Sequence, residues 1–273
     1  MFVLIVSASA MSAGVICLYA WYGLPLLVRG FQVRRISRIC RERGLIALTY
    51  DDGPSEALTA RLLEVLDRLD AKGTFFVTGR EAELRPDEVR RLAAGGHAIG
   101  SHSDKHCNAL KSTPWHGILD CLRGIGCLQE LGIRSNFYRP PYGKATLGTL
   151  LAARSNGCRT VWWTHDSGDT GSVPGRVRFG RILGGRLGGE SRRAVRGEDE
   201  LVASRTTPEA RQTLIDELIE DGGVVLLHDS DRGSDRLEEH TLSVTRELIE
   251  QARQAGRRIV TLEEVFEDET TSS

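Results

Sequence analysis

The chain has 273 residues, 40% of them hydrophobic and 27% charged, with a formal net charge of -1. That length suits one large α/β domain with a real core and leaves little room for a second. A nearly neutral chain has no electrostatic footprint for a polyanion, so nucleic acid is excluded as an expected partner. Its six cysteines form no CxxC pair and no regular spacing. Zinc knuckles and a disulfide framework are therefore not expected, and the thiols are read as small buried side chains.

The first element in chain order is apolar. No side chain from Met1 to Val28 is charged, and Phe2 to Leu24 exceeds the ~20 residues needed to cross hydrocarbon. The expectation is a single-pass transmembrane anchor over residues 1–28 rather than a cleaved signal peptide, which would begin with a positive charge and end at a small-residue cleavage site. Tyr19, Trp21 and Tyr22 read as an interfacial aromatic belt. A basic stem over residues 29–44 follows, with Arg29, Arg34, Arg35, Arg38, Arg41 and Arg43. The positive-inside rule would put the main domain in the cytoplasm, whereas a helical stem with solvated arginines would fix no topology.

Beyond residue 44, short apolar runs alternate with stretches of helical period, the pattern of β/α units on a mostly parallel sheet. Strands are predicted at Leu45–Tyr50, Thr74–Thr78, Ala98–Ser101, Asn136–Arg139, Thr160–Thr164, Gly223–His228 and Arg258–Leu262. Helices are predicted at Glu56–Ala71, Asp87–Ala94, Pro114–Leu131, Lys144–Asn156, Pro208–Asp221 and Glu239–Ala255. A Gly- and Arg-rich insertion interrupts the pattern at about residues 171–207, read either as disorder or as a basic flap. The tail over 267–273 is acidic and polar and is expected to fray.

Five of the predicted strands end in chemistry. Thr49-Tyr50-Asp51-Asp52-Gly53-Pro54 closes an apolar strand with adjacent carboxylates, one able to bind a metal while the other stays free as a base. After the third strand come His102 and His106, which one turn of helix would place on one side. One carboxylate and two imidazoles form a set that leaves metal positions open for water and substrate. His97, His116, His165 and His240 read as structural histidines.

The fourth strand ends in Arg139-Pro140-Pro141-Tyr142-Gly143, where rigid prolines can hold a Tyr142 N–H toward a developing oxyanion and Arg139 can orient a carboxylate. Trp162-Trp163-Thr164-His165-Asp166-Ser167-Gly168-Asp169 and Val224-Val225-Leu226-Leu227-His228-Asp229 end in titratable groups as well. A strand-end histidine can serve as general acid if a carboxylate fixes its tautomer. Five such ends are hard to place on one rim by chance.

These residues resemble the polysaccharide deacetylase family, also known as carbohydrate esterase family 4 or the NodB homology domain. The resemblance runs from about Leu45 to Phe266 through TYDDGPS, HSDKH, RPPYG, DSGDT and LLH, in that order. It implies a distorted (β/α)7 barrel over residues 45–266, a bound Zn2+ or another divalent cation such as Co2+, and hydrolysis of an acetamide on a sugar. By position, Asp52, His102 and His106 would hold the metal and Asp51 would take a proton from water. Arg139 would partner Asp51, Tyr142 would supply an oxyanion N–H, and His228, tuned by Asp169, would protonate the departing amine. Leu226, Tyr142 and Trp163 would line the substrate. Two positions depart from the family pattern: Tyr50 stands for a phenylalanine, and Thr170 for a tryptophan that helps build the wall of the site.

Within the same chemistry, O-acetyl esterases and deformylases of lipid-linked sugars are alternatives, and the expected anchor favours a membrane-associated, lipid-linked N-acetylated carbohydrate. A catalytically inert carbohydrate-binding membrane protein is the alternative from outside enzymology.

Overall fold

The structure is a computed structural model that describes residues 15–170, 175–177, 206–230 and 235–270, with side chains to residue 267. Its centre is β1 (Leu45–Asp51), buried along its whole length. In chain order follow α2 (Leu58–Arg68), β2 (Thr74–Val77), α3 (Gly79–Leu84), α4 (Pro86–Ala94), β3 (Ala98–Ser101) and α5 (Pro114–Glu130). Next come β4 (Phe137–Tyr138), α6 (Leu147–Ser155), β5 (Arg159–Thr160), β6 (His165–Asp166) and β7 (Gly175–Arg176). The chain then runs through α7 (Pro208–Asp221), β8 (Gly223–His228), α8 (Asp235–Gln254), β9 (Arg258–Val260) and α9 (Leu262–Thr270). Before β1 lies α1 (Leu24–Arg43), entered by a π-helical turn at Tyr19–Gly23.

The strands pair in the order β5-β4-β3-β2-β1-β8-β6-β7, with β9 also on β1. All ladders are parallel except β6–β7. The seven predicted strands all form, but β6 and β7 join them and the described ladder does not close, so the expected (β/α)7 barrel is an α/β half-barrel.

Alternation along β1 and β8 sorts the core into two layers. Ile46, Leu48, Tyr50, Val225 and Leu227 point outward into a cluster with α2, α7 and α8. Leu45, Ala47, Val224 and Leu226 point inward, where Val33, Ile36 and Cys40 of α1 meet them. The inward series continues to Thr49 and Asp51 on one strand and to His228 on the other, so the same alternation that buries apolar residues delivers the polar ones to the inner rim.

The segment expected as a stem is therefore part of the core. Ile36 and Cys40 are fully buried, and each fully buried aliphatic side chain stabilises the fold by roughly 1.5–3 kcal/mol. Arg41 pairs with Asp221 of α7 through its Nε at 3.0 Å. Trp21, expected in an aromatic belt, instead packs on α6: its ring lies 2.7 Å from where a Cβ on Gly148 would stand.

The expected membrane span is corrected. Residues 1–14 of it lie outside the described residues, and among the described residues no helix is long and apolar enough to cross a membrane. The physical reason is visible in α1, which continues the apolar run but carries six arginines and a glutamate and turns its apolar face to the sheet. A membrane-associated, lipid-linked substrate drew its support from that span and loses it, as does the topology drawn from the arginines. Of the insertion expected over 171–207, only 175–177 and 206–207 are described, and β7 is one of those pieces.

Candidate active site

Asp51 ends β1 and is 2% exposed. Its Oδ1 accepts from Arg139 Nη1 at 2.8 Å. Arg139, fully buried, also donates Nη1 to Thr49 Oγ1 at 2.8 Å and Nε to Val161 O at 3.4 Å. Its guanidinium lies 4.0 Å over the Phe76 ring. A buried carboxylate is tolerable here because an equally buried cation and its hydrogen bonds compensate it.

The backbone turns sharply at the next residue. Asp52 has φ 75°, so its carboxylate returns to the same rim instead of pointing to the opposite face. Its Oδ1 lies 3.3 Å from His102 Nε2 and 3.1 Å from His106 Nε2. One ligand atom from each of the three residues falls within 4.8 Å of the others.

No helical turn follows β3, contrary to expectation. The two imidazoles meet because Ser103 and His106 adopt left-handed backbone, φ 65° and 56°. That loop is held from α5: the Asp120 carboxylate accepts from Lys105 N at 2.8 Å and Cys107 N at 3.0 Å. Gly124, one turn further along α5, lets the helix approach, since a Cβ there would stand 2.2 Å from the Ser103 carbonyl carbon.

The protonation states suit a cation. His102 Nδ1 sits 2.8 Å from the Arg139 carbonyl oxygen; a carbonyl only accepts, so Nδ1 carries the proton and Nε2 presents its lone pair. Burial pushes His106 down to about 4, leaving it neutral at pH 7. Burial opposes charge on Asp52, yet in the acid range where it titrates the protonated His102, donating to it, and the charges of His106 and His228 hold its carboxyl well below the usual range.

Opposite this triad, His228 at the end of β8 donates Nδ1–H to Asp169 Oδ1 at 2.8 Å, and its backbone N–H reaches Asp169 Oδ2, also at 2.8 Å. Thr241 Oγ1 donates to the same oxygen at 3.2 Å. Asp169 thus fixes both the ring and the backbone of His228. Tyr142, with φ 57° and 42% exposed, lays its ring 4.4 Å from that of His106.

Asp51, Asp52, His102, His106, Arg139, Tyr142, Asp169 and His228 are thus gathered at one end of the sheet. Leu226 is buried at 4% exposure beneath them. Trp163 does not join the open face: it is 8% exposed, its ring 5.0 Å from the Arg29 guanidinium and 5.8 Å from that of Arg139. His97, His165 and His240 are buried as expected of structural histidines, while His116 is exposed.

Sequence reasoning missed the supporting roles of three residues. Asp120 and Thr49 are two, the former signalled only by an acid on an otherwise apolar helix face. The third is Asp229, which accepts from Thr59 Oγ1 at 2.9 Å and is pushed up to about 7, chiefly by burial and secondarily by the carboxylates of Asp52 and Asp51.

Residues 38–161 match the family model described as polysaccharide deacetylase, a stretch that holds both aspartates, both imidazoles, Arg139 and Tyr142. A peptidoglycan-N-acetylglucosamine deacetylase of Bacillus cereus is 33% identical over 145 residues, 53% of each chain. The chain therefore spans about half the length of that relative. A second deacetylase of the same name and organism is 26% identical over 223 residues, 81% of this chain and 88% of its own. Among solved structures, a peptidoglycan N-acetylglucosamine deacetylase superposes with a TM-score of 0.63 at 25% identity, covering 83% of this chain and 90% of that one. The ordered motifs, the half-barrel and these likenesses agree: over residues 38–161 the chain is similar to the polysaccharide deacetylase family.

Proposed function

We propose that this site hydrolyses the acetamide of N-acetylated sugars within a polymer, releasing acetate and leaving a free amine, as a zinc-dependent deacetylase. The observation that carries the reading is the convergence of Asp52, His102 and His106 beside a second, uncoordinated aspartate locked by Arg139. Relatives named as peptidoglycan-N-acetylglucosamine deacetylases support the choice of substrate class.

The donor set fits a divalent ion. One carboxylate and two imidazoles leave open positions, as catalytic rather than structural sites require. When bound, the ion supplies Lewis acidity to the acetyl carbonyl and to water.

The remaining work belongs to the chain. Asp51 takes the proton of the attacking water, and Arg139 keeps that carboxylate aimed. The Tyr142 N–H stabilises the charge developing on the carbonyl oxygen. An amine leaves poorly unless protonated, so His228 delivers a proton from Nε2 while Asp169 holds its Nδ1–H. Leu226 floors the space for the acetyl methyl.

The test is to incubate the full chain with Zn2+ or Co2+ and a panel of N-acetyl, N-formyl and O-acetyl glycans, measuring the acid released. Acetate from N-acetyl oligosaccharides, abolished by a chelator and restored by metal, is the expected result. Release confined to O-acetyl or N-formyl substrates would replace the reading, and no release from any would remove it.

A further inference from the structure

The Tyr142 loop is strained and externally clamped, and the clamp comes from a helix that precedes β1. Tyr142 and Gly143 are both left-handed, φ 57° and 63°. A side-chain-bearing residue holds that conformation only where its surroundings over-determine it. Within the loop, Gly143 N–H bonds Pro140 O and Lys144 N–H bonds Pro141 O, both at 2.9 Å. Outside it, the Gly143 carbonyl accepts from two buried donors, Arg29 Nη1 at 3.2 Å and Trp162 Nε1 at 3.1 Å.

The fit around this carbonyl is closed. A Cβ on Gly143 would stand 2.8 Å from the Trp163 ring and 2.9 Å from Arg29 Nη1. Arg29 is 8% exposed and stacks its guanidinium on Trp163. One turn further along α1, Gln32 serves the second donor. Its Oε1 accepts from Trp162 N–H at 3.1 Å and its Nε2 donates to Thr160 O. The Gln32 amide thus stands in for a strand partner along the edge of β5, where the ladder ends. Most of α1 lies before residue 38, where the family match begins.

We infer that Arg29 is a positioning residue for hydrolysis: with Trp162, itself set by Gln32, it clamps the Gly143 carbonyl and so holds the preceding Tyr142 N–H where the oxyanion develops. The inference rests on the deacetylase reading above. It makes α1, which supplies none of the strand-end site residues, a support of the catalytic apparatus. Burial, offset in part by Asp166, lowers the Arg29 guanidinium only to about 10, so it stays charged at neutral pH.

The experiment compares kcat and KM for acetate release from an N-acetylated chitooligosaccharide by full-length wild type, Arg29→Met and Arg29→Lys, each checked for bound zinc. Methionine keeps the apolar stem on Trp163 and loses the donor; lysine restores a cationic donor. A donor that aligns a transition-state contact acts on kcat, so Arg29→Met is expected to lose about tenfold in kcat with KM within about threefold and zinc content unchanged. Arg29→Lys is expected to recover most of that loss. A kcat for Arg29→Met within about twofold of an active wild type would overturn the inference, as would a lysine variant no better than methionine with the same fall in Tm. Should Arg29→Met fail to fold, Trp162→Phe, which removes the other donor to the same carbonyl, makes the comparison: a kcat-only loss supports the clamp and an unchanged kcat removes it. A zinc-loaded wild type that releases no acetate would instead strike the deacetylase reading, and the inference with it.

Discussion

Asp51 and Asp52 are neighbours in sequence, yet they are held by opposite means. Asp51 belongs to a strand, so ladder hydrogen bonds on both sides set its backbone, and a fully buried guanidinium sets its carboxylate. Asp52, Ser103 and His106 belong to loops in left-handed backbone, a conformation that L-residues adopt at a cost and that outside contacts must maintain. The proposed base is thus fixed by regular structure and the proposed metal donors by side-chain props, Asp120 foremost. Damage to the first should appear in chemistry and global stability, and damage to the second in metal affinity.

The sharpest way to test that contrast is Asp51→Asn. It removes the proton acceptor and leaves the triad intact, so acetate release should fall on the order of 10³-fold with zinc binding retained. Parallel loss of zinc, measured by titration calorimetry, would show that the two aspartates are not separable. Arg139→Met comes next. It strands Asp51 as an uncompensated buried charge, for which the expected cost is ~3–5 kcal/mol of folding stability by chemical denaturation. An unchanged denaturation midpoint would mean that the strand alone carries the base.

On the loop side, Asp120→Asn replaces one of two carboxylate oxygens with a donor facing an N–H. The fold should survive while zinc affinity drops by roughly 10–100-fold, the usual consequence of disturbing the support of a metal ligand. A larger effect on Tm than on zinc affinity would make Asp120 a structural residue only.

The smallest effect concerns acid. Burial pushes His97 and His165, neither of them a metal donor, down from 6.5 to about 4. Between those values the unfolded chain binds protons that the folded chain refuses, so stability is full above about 6.5 and declines as pH falls toward about 4. Replacing His97 by Gln should flatten part of that decline in Tm against pH. An identical profile in the variant would exclude His97 as a contributor.

How much of this was legible beforehand follows the same division. All seven predicted strands form, β1 gaining Asp51 while the strand predicted at Thr160–Thr164 keeps only Thr160, because apolar runs bounded by glycine, proline and charge are local signals. The rim positions of Asp51, Arg139 and His228 were readable for the same reason. The geometry joining His102 to His106 was not, since a helix and a left-handed loop deliver similar spacings and the deciding contact, Asp120, lies 14 residues further on. The N-terminal apolar run was misread as an anchor because length and absence of charge say nothing of what covers a helix. Its continuation carries arginines on one side and Val33, Ile36 and Cys40 on the other, and the sheet covers the latter.

From sequence alone came the α/β alternation, the order of the acid, histidine and arginine motifs along one rim, and thereby the family resemblance. These are properties of short segments, fixed by side-chain periodicity and the turn residues that end it. Tertiary structure alone decided that the ladder of the described residues stops short of a closed barrel, that α1 seals its inner face, and that Asp120, Thr49 and Arg29 brace the site. Each of those depends on groups distant in sequence meeting through buried hydrogen bonds and close packing, and no local pattern specifies which distant partner will fill the space.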